Sequence, residues 1–307
     1  MGATATGKSA LALELAVAFR GEIISMDSRQ VYRGFDIGTA KPTREERERV
    51  PHHLIDTLSS HEPSSAGRHA AEAVAIARAA AARGRVPFLV GGTGLYFRAL
   101  FRGLGPVAIP REVQERIRAG FAGRATPDLH DELKMRDPER AAALSRNDRV
   151  RITRALEIIA FTGRPASEAL QRAAPAPDGP QYLKLVLTMP RADLRARIEA
   201  RTRALFAAGW PAEVARLLAD GVRPDAPAMQ SLGYAELAAA ITAREDPARR
   251  LEDVITKTRQ YAKRQETFFR SERDAVWMDV TAGDTPRRAH HLVSAFLAAA
   301  GGAPRPQ

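Results

Sequence analysis

Eight residues near the start of the chain, Gly2-Ala3-Thr4-Ala5-Thr6-Gly7-Lys8-Ser9, have the spacing G-x-x-x-x-G-K-[ST]. In such a loop successive backbone N–H groups wrap a diphosphate, the lysine adds charge and the serine hydroxyl reaches a Mg²⁺ ion. The residues that follow, "KSALALELAVAFRG", have helical periodicity, so a helix begins inside the motif and aims the positive end of its dipole at the anion. The pattern reads a diphosphate and not a base. ATP is its commonest occupant, but "VPFLVGG", the next strand pattern but one, ends in glycine, where a nucleotide hydrolase carries a carboxylate that holds Mg²⁺ through water.

Three further residues have types that can do chemistry. Asp27 closes "EIISMD", which puts a carboxylate at the C-terminal edge of a strand, where ligands bind in parallel sheets; position alone fits a turn or helix-capping aspartate as well. Thr93, in "GGTGLYFRAL", follows a strand and opens a helix, so its hydroxyl either caps that helix or reaches the same crevice. Arg201, in "RIEARTRAL", reads from composition as a solvated surface charge on a helix.

The elements that must position these residues alternate. "EIISMD" and "VPFLVGG" read as buried strands, "AGRHAAEAVAIARAAAARG" as a helix closed by Gly84, and "YLKLVLTM" and "AVWMDV" as later strands. This pattern predicts an α/β fold, a P-loop NTPase-like parallel sheet flanked by helices. From Pro110 to Gly163 strand signals vanish and the text is charged and helical, which predicts an inserted helical subdomain over 110–163 in a discontinuous core of 1–109 and 164–307. The stretch "RPASEALQRAAPAPDGPQ" is a Pro- and Ala-rich connection back to that core. In "NDRVRITRALEII", Ile152, Ala155, Leu156 and Ile159 share one helical face, leaving Arg151 and Arg154 on the opposite one. In "TKTRQYAKRQETFFR", Arg259, Lys263 and Arg270 share a face, with Phe268 and Phe269 available for packing or stacking.

Composition narrows the function classes. The 307 residues are 45% apolar, enough for a proper core. There is no cysteine, which excludes a disulfide framework and thiolate metal sites and fits a cytoplasmic protein. No apolar run approaches ~18 residues and the start is no signal peptide, so no membrane role is expected. A formal charge of +11, from 47 basic and 36 acidic residues, fits a polyanionic partner and equally an Arg-rich proteome.

Taken in order, "GATATGKS", "DSRQVYRGFDIGTAKP", "PHHLID", "GGTGLY", "NDRVRITRALE", "QSLGY" and "AKRQETFFR" resemble the bacterial tRNA dimethylallyltransferases, also called tRNA isopentenyltransferases, over nearly the whole chain. The resemblance implies transfer of a dimethylallyl group from dimethylallyl diphosphate to N6 of the adenosine 3′ of the anticodon in tRNA, with release of diphosphate. The phosphate loop then grips the allylic donor rather than a nucleoside triphosphate, with Mg²⁺ as cofactor near Ser9. Arg201 occupies the family position of a guanidinium on the leaving group. Asp27 is the implied base, because adenine N6 is a poor nucleophile and must lose a proton as the C–N bond forms. Thr93 is implied to hydrogen-bond a donor oxygen near the breaking bond.

The same resemblance implies tRNA contacts at Asp27, Ser28, Arg29, Gln30 and Thr93, at Gln114, at Val150, Arg151, Ile152, Thr153 and Arg154, and at Gln230, Ser231, Leu232, Gly233, Tyr234 and Ala235. Two of these depart from the family pattern: Ala235 stands where many members carry a basic residue, and Gln114 where an arginine is frequent. A monomer is expected. Members also carry a short strand immediately before the phosphate loop, so the start at Met1 reads as lying inside or just after that strand. Three competing functions stay open on the residues alone: a P-loop small-molecule or nucleoside kinase, a prenyltransferase acting on free AMP, and a non-catalytic RNA-binding module.

Overall fold

The structure, a computed structural model, describes residues 1–103, 107, 109–170 and 180–301. It forms two compact units, one of Met1–Leu100 with Pro180–Gln307 and one of Phe101–Gly179. These limits lie outside the expected 110–163. The helical unit recruits flanking residues: Val107 and Ile109 pack on its core, and Ala166, in the short helix Ala166–Ala169, is buried in it. The rest of the expected Pro- and Ala-rich connection, 171–179, lies outside the described residues.

Among its described residues the first unit has five strands, β1 (Gly21–Ser25), β2 (His52–His53), β3 (Val86–Val90), β4 (Lys184–Thr188) and β5 (Ala275–Asp279). They pair as β2-β1-β3 and β4-β5, every pair parallel, with Ile24 opposite Leu89 and Val186 opposite Trp277. Strand β1 is buried along its whole length, which is why "EIIS" reads as a continuous apolar run around one glutamate. That glutamate, Glu22, is satisfied by His53 at 2.8 Å and Arg83 at 2.9 Å. Met1 and Gly2, the first residue of the phosphate loop, run parallel beside β4: the Met1 amino group donates to Leu185 O and Leu187 N–H donates to Met1 O.

Helix Lys8–Ala18 buries Ala12, Leu13 and Ala16 against Ile23 and Val50, and Leu15 against Leu187 and Met278. Two long helices, Arg191–Ala207 and Leu251–Phe269, pack on each other; Leu194, Ile198 and Ala262 share a buried cluster with Ala3 of the phosphate loop. Among the described residues no helix is long and apolar enough to cross a membrane.

The second unit is helical among its described residues, with helices Arg111–Ala119, Thr126–Arg136, Pro138–Ala142 and Arg149–Thr162 besides Ala166–Ala169. Ile152, Ala155, Leu156 and Ile159 are buried with Leu129 and Leu133, as the helical spacing predicts. The opposite face differs from expectation. Arg151 is exposed and pairs with Asp148, but Arg154 turns onto the fully buried Glu157 at 3.2 Å and onto Val107 O at 3.0 Å. Gln114 and Arg118 complete the ring around the same carboxylate, at 2.6 and 2.5 Å. A buried charge demands such partners, and this demand takes the Arg154 and Gln114 side chains that the sequence leaves pointing outward. Val150 is exposed, Ile152 is core, and the Thr153 hydroxyl bonds back to Arg149 O.

Asp137, also buried, ties this unit together. It accepts from Arg140 N–H, which caps helix Pro138–Ala142, and from both the N–H and the hydroxyl of Ser167. Asp137→Ala is expected to lower stability by about 2–3 kcal/mol and Ser167→Ala by about 1 kcal/mol, as read by urea unfolding.

Candidate active site

The phosphate loop is a folded turn that is held from outside. Gly7 has φ +86° and Ala5 φ +65°, both in the left-handed region, so the loop carries a strained residue and has no ladder of its own. The Thr6 hydroxyl and Lys8 Nζ donate to Ala3 O at 2.9 and 3.2 Å. Thr4 is gripped twice: its N–H donates to Gln265 Oε1 at 2.9 Å, and its hydroxyl accepts from Arg201 Nη1 at 3.0 Å. Helix Lys8–Ala18 starts at Gly7 with no side-chain cap and no acidic residue in its first turn, which leaves its positive dipole end uncompensated by side chains.

The residues that follow β1, Asp27 to Gln30, line the same cavity as the loop. Asp27 Oδ1 accepts from Arg29 N–H at 2.8 Å, so Asp27 is a turn aspartate and a cavity residue at once. Thr93 starts its helix through its carbonyl, while its hydroxyl accepts from Ser28 N–H at 3.0 Å, which staples the end of β3 to the residue after Asp27. Gln30 is locked by Ser25 Oγ and by the carbonyls of Thr39 and Ala40. Arg29 reaches Pro227 O.

These groups surround one cavity of about 980 Å³, lined by Thr4, Ala5, Gly7, Lys8 and Ser9 of the loop, by Asp27 to Gln30, and by Arg201. Gln230, Ser231, Leu232 and Tyr234 also line it, whereas Thr93, Gly233 and Ala235 do not. Within the "QSLGY" segment the side chains largely bond inward. Ser231 is buried on Ala228 O, and the buried Tyr234 hydroxyl donates to Glu213 at 2.6 Å. Gln114 and Val150 to Arg154 belong to the other unit.

The cavity is electrostatically tense. Burial first, and then the neighbouring Arg201 charge, hold Lys8 down to about 8, with Asp27 pulling the other way. Burial also lowers Arg201, again opposed by Asp27. Burial, and then the Asp27 charge, push the Tyr261 phenol up to about 12. A bound polyanion would relieve the first two effects together.

Among the lining residues that escape the sequence reading are Arg197, Tyr261, Arg264 and Gln265. Arg197 lies beside Gly7, one turn before Arg201, and the i, i+4 spacing is a signal that could have found it. Tyr261, Arg264 and Gln265 define the working face of helix Leu251–Phe269. The expected basic face divides differently: Arg259 pairs with Glu199 at 2.8 Å, while Lys263 and Arg270 are exposed. Phe269 is buried edge-on against Phe97 and Phe268, so the phenylalanine pair packs rather than offering a stacking surface.

Among the described residues no group of three His, Cys, Asp or Glu could hold a metal alone. Ser9, exposed at the helix start and lining the cavity, fits the single protein oxygen that Mg²⁺ takes when substrate phosphates and water complete its shell.

The fold is a parallel α/β sheet flanked by helices, with a glycine-rich loop at a helix N-terminus and cations around it, an arrangement chemically suited to a diphosphate. The family model for IPP transferases matches residues 30–272, and the chain belongs to that family. It is 46% identical to a tRNA dimethylallyltransferase of Myxococcus xanthus, with 90% of each chain covered, and 43% identical to one of Desulfosudis oleivorans, covering 96% of this chain and 94% of the other. Among solved structures it matches a full-length tRNA isopentenylpyrophosphate transferase from Bacillus halodurans with a TM-score of 0.69, 35% identity and 97% and 95% coverage. A eukaryotic dimethylallyltransferase acting on tRNA matches with a TM-score of 0.81, 26% identity and 98% and 79% coverage.

With Lys8 held down to about 8, the free protein should bind a diphosphate ester more weakly as pH rises through that value, because the ammonium is then lost before binding. Isothermal titration with dimethylallyl diphosphate between pH 7 and 9.5 (roughly one pH unit either side of that value, allowing for the shift) should show the break. Lys8→Met should bind weakly throughout and show none.

Proposed function

We propose that the chain transfers a dimethylallyl group from dimethylallyl diphosphate to N6 of the adenosine 3′ of the anticodon in tRNA. The observation that carries this reading is that one cavity holds both halves of the chemistry: a phosphate loop with Lys8 and Arg201 for an anionic leaving group, and Asp27 opposite for a proton. The bond from the allylic C1 to the diphosphate oxygen breaks, with its electron pair going to the oxygen. The bond from N6 to C1 forms, and the N6 proton passes to Asp27.

Charge that develops on the departing diphosphate is met by Lys8, Arg201 and the N–H groups at the start of helix Lys8–Ala18, already in place before reaction. Mg²⁺, held through Ser9 and the diphosphate, would supply further charge neutralisation. Thr93, fixed against Ser28, would help orient the donor, and Gln30, locked by Ala40 O, would serve the acceptor. A volume of about 980 Å³ is at the upper end for one small ligand, which fits a donor and an inserted base together. The adenine must leave its stack to enter, which costs least in a single-stranded anticodon loop. The relatives' names give tRNA as the molecule they act on, which supports this reading and a cytoplasmic reaction. Exposed Arg151 and Val150 of the helical unit, with Arg29 and Gln230 of the first, are the proposed contacts to the RNA.

Incubation of the protein with dimethylallyl diphosphate, Mg²⁺ and an anticodon stem-loop should add one dimethylallyl group to the RNA, seen by nucleoside mass spectrometry. AMP as acceptor, or ATP as phosphoryl donor, should give no product; preference for either would overturn the reading. Asp27→Asn should lower kcat by about a hundredfold or more with little change in donor KM, whereas Arg201→Ala should raise donor KM as well.

A further inference from the structure

The two segments that face the acceptor side of the cavity, 28–42 and 230–236, are distant in sequence and share no strand. One helical turn joins them. Helix Trp210–Ala219 begins with Trp210 and Glu213, both buried and three residues apart, so both project from the same face of its first turn.

Glu213 is 7% exposed and has four donors on its carboxylate. Asp36 N–H and Ile37 N–H donate to Oε2 at 3.0 and 2.8 Å, and Gly38 N–H approaches Oε1 at 3.4 Å. The Tyr234 hydroxyl donates to Oε1 at 2.6 Å. No lysine or arginine pairs with this carboxylate among the described residues; dipoles alone satisfy it, three from one segment and one from the other.

Trp210 makes the second tie. A Cβ on Gly38 would lie 2.1 Å from Trp210 Nε1, and one on Gly233 would lie 2.1 Å from the far edge of the same ring. The indole is therefore clamped between one glycine of each segment and meets the Tyr234 ring edge-on, with centroids 5.4 Å apart. The segment 28–42 is closed on itself by Gln30, whose amide reaches Thr39 O and Ala40 O. Whatever fixes Asp36–Gly38 thus also fixes the frame in which Gln30 and Arg29 are presented.

We infer that Glu213 is a positioning residue for RNA recognition: it sets segments 28–42 and 230–236 in the one arrangement that receives the anticodon loop, and it touches neither donor nor RNA. This rests on the proposed prenyl transfer to tRNA. The donor side is held by other contacts, Thr4 to Gln265 and to Arg201, so the two halves of the cavity should respond separately.

The test is steady-state prenylation of an anticodon stem-loop, with each substrate varied in turn. Glu213→Gln places an NH₂ among N–H donors, and should raise the KM for the stem-loop about tenfold or more while donor KM stays within about twofold. Tyr234→Phe removes one of the four donors and should raise the stem-loop KM about threefold, again sparing the donor. Stem-loop KM unchanged in folded Glu213→Gln, or donor KM rising in parallel, would overturn the inference. If Glu213→Gln does not fold, an unchanged stem-loop KM in Tyr234→Phe does the same. Failure of the wild-type protein to modify the stem-loop would instead overturn the function on which the inference rests.

Discussion

The chemistry depends on how Thr4 is held. A phosphate loop is useful only if its N–H groups converge on one point, yet a stretch with left-handed Ala5 and Gly7 has no hydrogen-bond ladder to impose that shape. The shape comes from outside: Gln265 takes the Thr4 N–H, and Arg201 takes its hydroxyl. The other end of the Gln265 amide donates to Gly92 O at 2.9 Å, so one side chain joins the donor loop to the turn that carries Thr93. Thr93 in turn bonds Ser28, the neighbour of Asp27. The phosphate loop and the neighbour of Asp27 are thereby joined through a short chain of hydrogen bonds.

That arrangement is held against an electrostatic cost. Lys8 and Arg201 are drawn out of water close to each other, and both are lowered mainly by that burial. Asp27 offsets part of the cost from across the cavity. Two buried cations so close together suit an anion, because a diphosphate bound beside them would offset both their lost hydration and their mutual repulsion.

The helical unit shows the same physics turned to structural ends. Glu157 and Asp137 are buried carboxylates, and each gathers the donors around it: Gln114, Arg118 and Arg154 in one case, Arg140 N–H and Ser167 in the other. The face of helix Arg149–Thr162 read as basic is therefore only partly so. Arg151 stays exposed, while Arg154 serves a carboxylate one turn along its own helix.

What consecutive residues determine is legible in the sequence. The loop spacing, the helix after it, the strands around "EIIS", "VPFLV", "KLVLT" and "AVWMD", and the apolar face of Ile152 and Leu156 all follow from local geometry and period. Strand β2 is too short, at two residues, to carry a period, and the pairing of Met1 with β4 leaves no pattern at all. Tertiary structure alone decided which partner each charged or polar side chain takes. Arg154 and Tyr234 look available on a linear reading, and both turn inward because a distant or neighbouring carboxylate, once buried, must be satisfied. Gln265 and Glu213 look like ordinary helix polar residues and become the braces of the cavity. Local sequence encodes backbone shape through sterics and hydrogen-bond period, but the pairing of buried polar groups depends on which segments meet, and that exists only after the chain has folded.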